Sequence, residues 1–586
     1  EAAIPFRSLR FPEDSGDRPW GILVSRFWPR STEVELRSAP LDRDDACVLC
    51  QADRLAGLDG ISPGRNVQLS PTFTASRSDE AEEGVSGLAP GSVSADPGLD
   101  LRWSPTPELA LNATVNPDFS QVEADAAQLD VNRRFALFFP EKRPFFLEGA
   151  DVFRTPVRAV FTRTVVDPIG GGKVTGKSGP YALGAMVVRD EVNSLLLPGP
   201  QGSSSLVLEE PVTTGVGRLR RDVGASSTVG GLVVAREGRG YHNRVAGADA
   251  FFQPWPSVTG RLQYLRSWTR YPAEVADALA EESGPAAPSE SPVGSAFGGD
   301  AFQGRLRYQD REWTVSSSLR YRGKRFRADA GFQPQVGVRG GNASVERVFR
   351  GGRDRWFSRL SAQVGTWGNQ ELDGALLNGG LWLGLQYRGP LQTSVTWFPN
   401  FFREGFAGEE YGMTTHYFSA GVRPWGSVGL EVRGQLGDAV DFANARKASQ
   451  ITLGPSVDLR LGRRTSLDLS HRFQHLATAE EGREILAAHV SEARVVYNFS
   501  NRAFVRAILQ HRLTDRNPAA HDDPVSTRAR SLFTQLLFSY KVNPQTLLFL
   551  GWTDDRAGDS ELPSRALSLE PRGRTFFLKV GYAWRP

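Results

Sequence analysis

The chain has little sulfur and little lysine: 2 Cys and 2 Met in 586 residues, and seven Lys among 69 basic residues. Two cysteines cannot staple a chain of this length. Cys47-Val48-Leu49-Cys50 is a lone C-x-x-C, with no second pair and no histidine before His242, which excludes a four-ligand structural zinc site. It reads either as a small-loop disulfide in an oxidising compartment or as two idle thiols. No run of about 18 apolar residues exists, and the mean hydropathy of −0.33 excludes a bundle of membrane-spanning helices. A membrane β-barrel is not excluded, because each of its strands is apolar only at every second residue. Acidic and basic residues are interspersed and the net charge is +3, which argues against nucleic-acid binding. The start, Glu1-Ala2-Ala3-Ile4-Pro5, lacks the basic end and apolar core of a secretory signal. An exported protein would therefore be represented here as a mature form or a fragment.

Turns and aromatics are abundant, with Gly 61, Phe 34, Trp 13 and Tyr 12. At the C-terminus Phe576, Leu578, Val580, Tyr582 and Trp584 alternate with Thr575, Phe577, Lys579, Gly581 and Ala583, a period-2 pattern with one apolar face. Leu532 to Val542 repeats it, turns at Asn543-Pro544-Gln545 and leads into Thr546 to Trp552. Comparable turns fall at Ser104-Pro105-Thr106-Pro107, Ser178-Gly179, Val223-Gly224, Pro254-Trp255-Pro256, Asp310-Arg311, Gly351-Gly352, Arg388-Gly389-Pro390, Pro424-Trp425-Gly426, Gly462-Arg463-Arg464 and Ser500-Asn501. Between them lie longer polar connections such as Tyr271 to Asp300, Thr514 to Thr527 and Arg556 to Arg572. Short and long connections are expected to alternate strictly, as in an outer-membrane barrel with short periplasmic turns and long external loops. The expected fold is all-β: a large antiparallel transmembrane barrel of about 24 strands over residues 62–586, in the bacterial outer membrane with the lipid bilayer as partner. Trp268, Trp313, Trp397, Trp425 and Trp552 suit an interfacial girdle. Residues 1–61 read as short strands, Ile4 to Pro12 and Trp20 to Pro29, then Glu33 to Arg37, too little chain for an independent core.

Asn116 to Phe153 breaks the alternation, being dense in charges and phenylalanine. It is expected to fold inward, residues 117–157 filling the lumen. Arg133, Arg134, Lys142 and Arg143 would pair with Asp118, Glu123, Asp125, Glu141 and Glu148, and Phe138, Phe139, Phe145 and Phe146 would form a small apolar core.

Two motifs here, Asn116-Pro117-Asp118-Phe119-Ser120-Gln121-Val122-Glu123-Ala124-Asp125 and Phe138-Phe139-Pro140-Glu141-Lys142-Arg143-Pro144-Phe145-Phe146-Leu147-Glu148-Gly149, resemble the signature of the bacterial family called domain of unknown function 5916. The resemblance implies a preceding carbohydrate-binding family 9-like sandwich, of which residues 1–61 would be the closing strands and linker.

Other motifs carry less. Gly171 to Ser178 satisfies G-x-x-x-x-G-K-S, yet Gly179-Pro180 and a strand pattern follow where a phosphate-binding loop needs a helix, so no nucleotide is expected. His471 and His475 lie four apart on a strand pattern without the glutamate of a zinc-protease helix and read as rim residues; Asn116, Asp118, Glu123 and Asp125 lack the glycine-punctuated loop of a calcium site. No catalytic residue, metal or cofactor is assigned. The expected function is passage or anchoring at the outer membrane, with carbohydrate association through the N-terminal part. The alternatives are a glycan hydrolase using Glu123, Asp125, Glu141 or Glu148, and an energy-coupled receptor.

Overall fold

The computed structural model describes the chain outside residues 1–19, 30–32, 59–60, 62–66, 83–86, 107, 118–130, 276–293, 353–354, 523, 544–545, 561–567 and 585–586. Strand Tyr181–Asp190 shows how sequence becomes wall. Ala182, Met186, Val188 and Asp190 are buried on one face, while Tyr181, Leu183, Ala185, Val187 and Arg189 are exposed on the other. Such a strand can enter a hydrocarbon layer only if every N–H and C=O is paired with a neighbour, and a sheet without edges achieves this by closing.

Twenty-four antiparallel strands do so, following sequence order around the ring, with the two-residue strand Leu88–Ala89 pairing beside the first. The last strand, Glu570–Gly581, closes on the first, Gln68–Ala81, with Leu578 opposite Ala75. All eleven expected turns fall between consecutive strands, from Thr106 and Leu109 to Asn543 and Thr546. Pro107, Pro544 and Gln545 lie outside the described residues. Tyr181, Trp255, Trp313, Trp356, Trp425 and Tyr540 are exposed near this end of the barrel and make an aromatic girdle there, whereas Trp268 lies toward the opposite end of its strand.

Strict alternation of loop length does not hold. At the end opposite the short turns, Arg239-Gly240 alone joins Gly238 to Tyr241, and Ala407-Gly408 alone joins Phe406 to Glu409. Gly240, Ala407 and Gly408 adopt positive φ (67°, 56° and 83°), the left-handed backbone of tight hairpins. Four-residue links follow Glu371 and Asp441. Long chain at this end is concentrated instead in four connections, 116–167, 191–211, 271–296 and 323–337, the second containing its own hairpin, Asn193–Pro198 with Ser203–Leu208.

The N-terminal stretch forms two small two-stranded sheets, Trp20–Ile22 with Asp53–Leu55 and Ser25–Pro29 with Glu33–Arg37, so the single strand expected from Trp20 to Pro29 breaks at Leu23 and Val24. Ile4 to Pro12 lies outside the described residues. A 3-10 turn at Leu49–Gln51 brings Cys47 and Cys50 into a disulfide. This stretch meets the short-turn end: the Ala46 N–H donates to the Pro256 carbonyl at 2.8 Å, and the Arg311 N–H to Asp44 Oδ1 at 2.6 Å.

Leu578 lies within the exposed apolar row from Phe576 to Trp584. Leu578→Arg should cost about 2–4 kcal/mol, the range for a cation near the middle of the bilayer, and less toward an interface. Denaturant titration of the barrel refolded in lipid vesicles measures it, and an unchanged midpoint would remove Leu578 from the lipid face.

Candidate functional site

The chain leaves the wall after Val115 and returns at Pro168. Asn116, at φ 42°, steers the exit: its N–H donates to the Ile169 carbonyl at 2.7 Å and its amide to the Pro97 carbonyl at 2.9 Å. From there the segment touches strands far apart on the ring. Asn132 (φ 51°) donates to the Val440 carbonyl at 2.8 Å and accepts from the Phe442 N–H at 3.0 Å. Glu148 pairs with Arg102 at 3.0 Å, and the Val157 N–H donates to Gln263 Oε1 at 2.6 Å. Arg102, Gln263 and Val440 belong to the second, ninth and seventeenth strands, so the segment runs from one side of the barrel to another.

Phenylalanines and alanines on this segment supply its grip. Phe146, Phe153, Val157, Ala159 and Val165 pack on Met186, Val188, Val216, Leu232, Val245 and Leu265. Those wall residues alternate with the exposed apolar row, so the packing is on the opposite, inward face. Each buried aromatic or aliphatic side chain contributes about 1.5–3 kcal/mol.

Buried irregular backbone must be paired, and wall side chains do much of it. Lys173, 4% exposed, points inward from Pro168–Ser178 and donates to the carbonyls of Phe145 and Glu148, at the end of the short helix Pro144–Leu147. A cation at a helix C-terminus satisfies orphan carbonyls and the helix dipole together. Its ammonium also lies 5.0 Å from the Phe145 ring centroid. Gly149, at φ 63°, lies against Thr175: a Cβ there would come within 2.9 Å of Thr175 Oγ1.

Glu141 and Arg143 tie the segment to itself. Arg143 Nε and Nη2 donate to the two Glu141 oxygens at 2.8 and 2.7 Å, and its remaining donors reach the carbonyls of Val165 and Thr162. Thr162 Oγ1 donates to Glu141 Oε2 at 2.6 Å. Burial raises the Glu141 pKa, but the hydrogen bonds from Arg143 and Thr162 outweigh it and hold the carboxyl below the usual range. Arg134 pairs with Glu404 of the wall and lies over the rings of Phe135, Phe406 and Phe442. Burial lowers the Arg134 pKa, with Glu404 opposing that shift.

Of the charges expected to neutralise one another within the segment, Glu141 and Arg143 do so, whereas Arg134 and Glu148 turn to the wall. Arg133 is exposed and Lys142 half-buried; Asp118, Glu123 and Asp125 lie outside the described residues. Phe146 is buried and Phe145 packs beside it, but Phe138 is 40% exposed, tilted against Phe161, edge-to-face with Phe332 and covered by Arg158 at 4.2 Å. Phe139 is only half-buried, 6.0 Å from the Arg163 guanidinium. A cavity of 450 Å³ opens beside Phe138, Glu141, Phe153, Arg154, Arg158 and Lys173.

Sequence reasoning missed the second inward connection, 323–337. Phe326, Ala328 and Ala330 join the same core, and backbone bonds link Phe161 to Ala330 and Phe332 to Arg158 at 2.7 and 3.0 Å. Asp329 is fully enclosed, accepting from Tyr241 at 2.7 Å and Tyr271 at 3.2 Å, with Arg236 on its carbonyl and Asn243 accepting its N–H. Burial raises the Asp329 pKa against the pull of Tyr241, Arg236, Arg327 and Tyr271. The available signal was Arg325-Phe326-Arg327-Ala328-Asp329, as mixed in charge and aromatics as the first segment.

The remaining motifs resolve plainly. Gly171 to Ser178 is strand, and Lys177 pairs with Asp222 at 2.5 Å. His471 sits in mid-strand rather than at a rim, on the exposed face with Leu469, bonded to Ser491 at 2.9 Å; His475 meets Glu484 at 3.2 Å. No group of three metal-ligating side chains occurs among the described residues.

A closed barrel with a continuous apolar exterior row and inward-folded connections defines the class: this is a bacterial outer-membrane β-barrel protein. Residues 67–167 match the family described as Domain of unknown function (DUF5916), the family to which the two motifs pointed. No curated protein matches the chain. Similar solved structures include the copper transporter OprC (9% identity, 95% of this chain and 86% of that one, TM-score 0.43). The ferric enterobactin receptor PfeA is another (10%, 88% and 81%, 0.45), as is OccK11 (OpdR) of Pseudomonas aeruginosa (9%, 89% and 96%, 0.30). These likenesses are too distant to say what this chain carries.

Two outcomes follow from the clamps. Lys173→Met should cost the segment about 2 kcal/mol, the scale of a hydrogen bond to a charged group, and so speed trypsin cleavage after Arg154 about thirtyfold. Equal cleavage rates would dismiss the clamp. The Glu141 contribution is fully present above the ordinary glutamate pKa of about 4.3 and is lost as pH falls through its lower folded value. Protection factors for amide exchange at Thr164 and Val165, which remove the intrinsic pH dependence of the exchange rate, should therefore fall on acidification in the native chain and be low at every pH in Glu141→Gln.

Proposed function

We propose that the barrel passes solutes across the outer membrane through a bore narrowed by residues 116–167, and that the N-terminal stretch associates it with carbohydrate. The observation that carries the first part is the reach of the segment from Arg102 to Gln263 and Val440. A bore of twenty-four strands is wide enough for a water-filled channel unless something fills it. For the second part, Phe27, 61% exposed on a small sheet, presents an aromatic face on which a sugar ring can stack.

The hydrolase reading is weaker. A general acid needs a raised pKa, and Glu141 has a lowered one with both oxygens committed to Arg143. An energy-coupled receptor would be expected to release its barrier on a pull from the periplasm. Here the described barrier is a connection between the third and fourth strands, fastened to the wall at both ends.

Planar-bilayer conductance tests the reading. The full chain should conduct weakly, and deletion of Asp118 to Glu148 should raise conductance severalfold while the barrel stays heat-modifiable on a gel. Unchanged conductance in a folded deletion variant would contradict it.

A further inference from the structure

The inward wall carries arginines that have no carboxylate partner among the described residues. On strand Val258–Arg270, Gln263, Leu265, Ser267 and Thr269 are buried on the inward face, while Leu262, Tyr264 and Trp268 are exposed on the other. Arg261 shares the inward parity and stands directly opposite Arg305 of Phe297–Gln309. Arg307 is the next residue on that face. Arg320 of Trp313–Arg322 stands opposite Gln303, diagonal to Arg305. Leu306, Tyr308, Leu319 and Tyr321 hold the exposed apolar face of these two strands.

Some inward arginines are held by carboxylates and others by carbonyls or amides, as Arg236 is by the carbonyls of Asp329 and Thr164. Arg218 makes two bonds to Asp249 at 2.6 and 2.7 Å, and Arg359 reaches Glu346 at 2.8 Å. Among the described residues none of the four has an ion pair. Arg320 donates to Asn369 Oδ1 at 2.9 Å, Arg261 lies 5.5 Å from the Phe251 ring centroid, and the buried Nε of Arg307 has no partner. Like charges directly across a strand pair destabilise a sheet. Arg261 and Arg305 are such a pair, and an anion between them would offset that cost.

Arg261, Arg305 and Arg307 lie in the strand halves nearest the short turns, with Gln263, which holds the segment at Val157, just above Arg261. These three therefore line the bore on the short-turn side of the Val157–Gln263 contact, and Arg320 stands level with it. Walls of low dielectric around charges of one sign concentrate counter-ions, and guanidinium forks match carboxylate and phosphate oxygens two at a time. Neighbouring strands are about 4.8 Å apart, so three of them present guanidinium groups over about 10 Å.

We propose that Arg261, Arg305, Arg307 and Arg320 form a binding strip for small solutes bearing two or more carboxylate or phosphate groups, and that it makes the bore anion-selective. Binding stands on the wall alone; selectivity rests on the proposed passage.

Calorimetric titration of the full chain in neutral detergent at low salt, with citrate and with inorganic pyrophosphate, tests binding. Both should bind. Arg261→Gln with Arg305→Gln should weaken them tenfold or more, Arg261→Lys with Arg305→Lys should restore part of the affinity, and Arg433→Gln, which removes one charge beside Glu431, should change it less than threefold. Citrate binding without pyrophosphate, or the reverse, would show which anion the strip takes and still support it. No binding of either, or equal loss in Arg433→Gln, would overturn it. In bilayers under a KCl gradient the reversal potential should favour chloride and move toward zero in the double Gln variant. A conducting pore without anion preference would overturn the selectivity. A chain that does not conduct at all would count against passage, and the titration would still decide the strip.

Discussion

No backbone N–H or C=O can be left unpaired in hydrocarbon, and the rest of this structure depends on that constraint. It forces the sheet to close, and at twenty-four strands closure leaves a wide bore. Chain that enters the bore meets the same requirement without a ladder to satisfy it. The wall therefore supplies donors and acceptors one at a time: Lys173 to two helix-end carbonyls, Gln263 to Val157, Asn243 to Asp329, and Arg236 to the carbonyls of Asp329 and Thr164. These polar groups are scattered through an apolar contact formed by Phe146, Val157, Phe326 and the inward residues of successive strands. The apolar contact supplies adhesion, and the paired backbone fixes where the segment lies.

The wall was legible because its signal is local. Alternation in Phe576 to Trp584 and turn chemistry at Gly462-Arg463-Arg464 report on neighbours a few residues away, and both recur as strand and turn. Loop lengths at the other end were less legible. Ala407-Gly408 turns the chain in two residues because Ala407 takes a left-handed φ, which alanine does not advertise. The segment was recognisable as an anomaly from its charge and phenylalanine, but its partners were not. Arg134 finds Glu404 and Glu148 finds Arg102 across the fold, and no spacing rule connects residues so far apart in sequence. The same holds for 323–337, whose role appears only when Asp329 is seen beneath Tyr241 and Tyr271.

The proposed function rests on how the segment and the inward arginines are placed in the bore. On strand Val258–Arg270 the segment meets the wall at Gln263, and Arg261, Arg305 and Arg307 lie on the short-turn side of that contact, the side where the N-terminal stretch also touches the barrel. From this apolar, cross-tied barrier beside basic side chains we propose the restriction and sorting of solutes.

The central claim is that one segment spans the interior and holds two distant parts of the wall. Paired cysteines test it most directly: Glu148→Cys with Arg102→Cys, and Asn132→Cys with Phe442→Cys, each treated in outer-membrane vesicles with a short bifunctional thiol reagent. Both pairs should cross-link in barrels that remain heat-modifiable, since the native side chains or backbone at these positions are in hydrogen-bonding contact. Folded barrels in which neither pair cross-links would place the segment outside the bore and contradict the account.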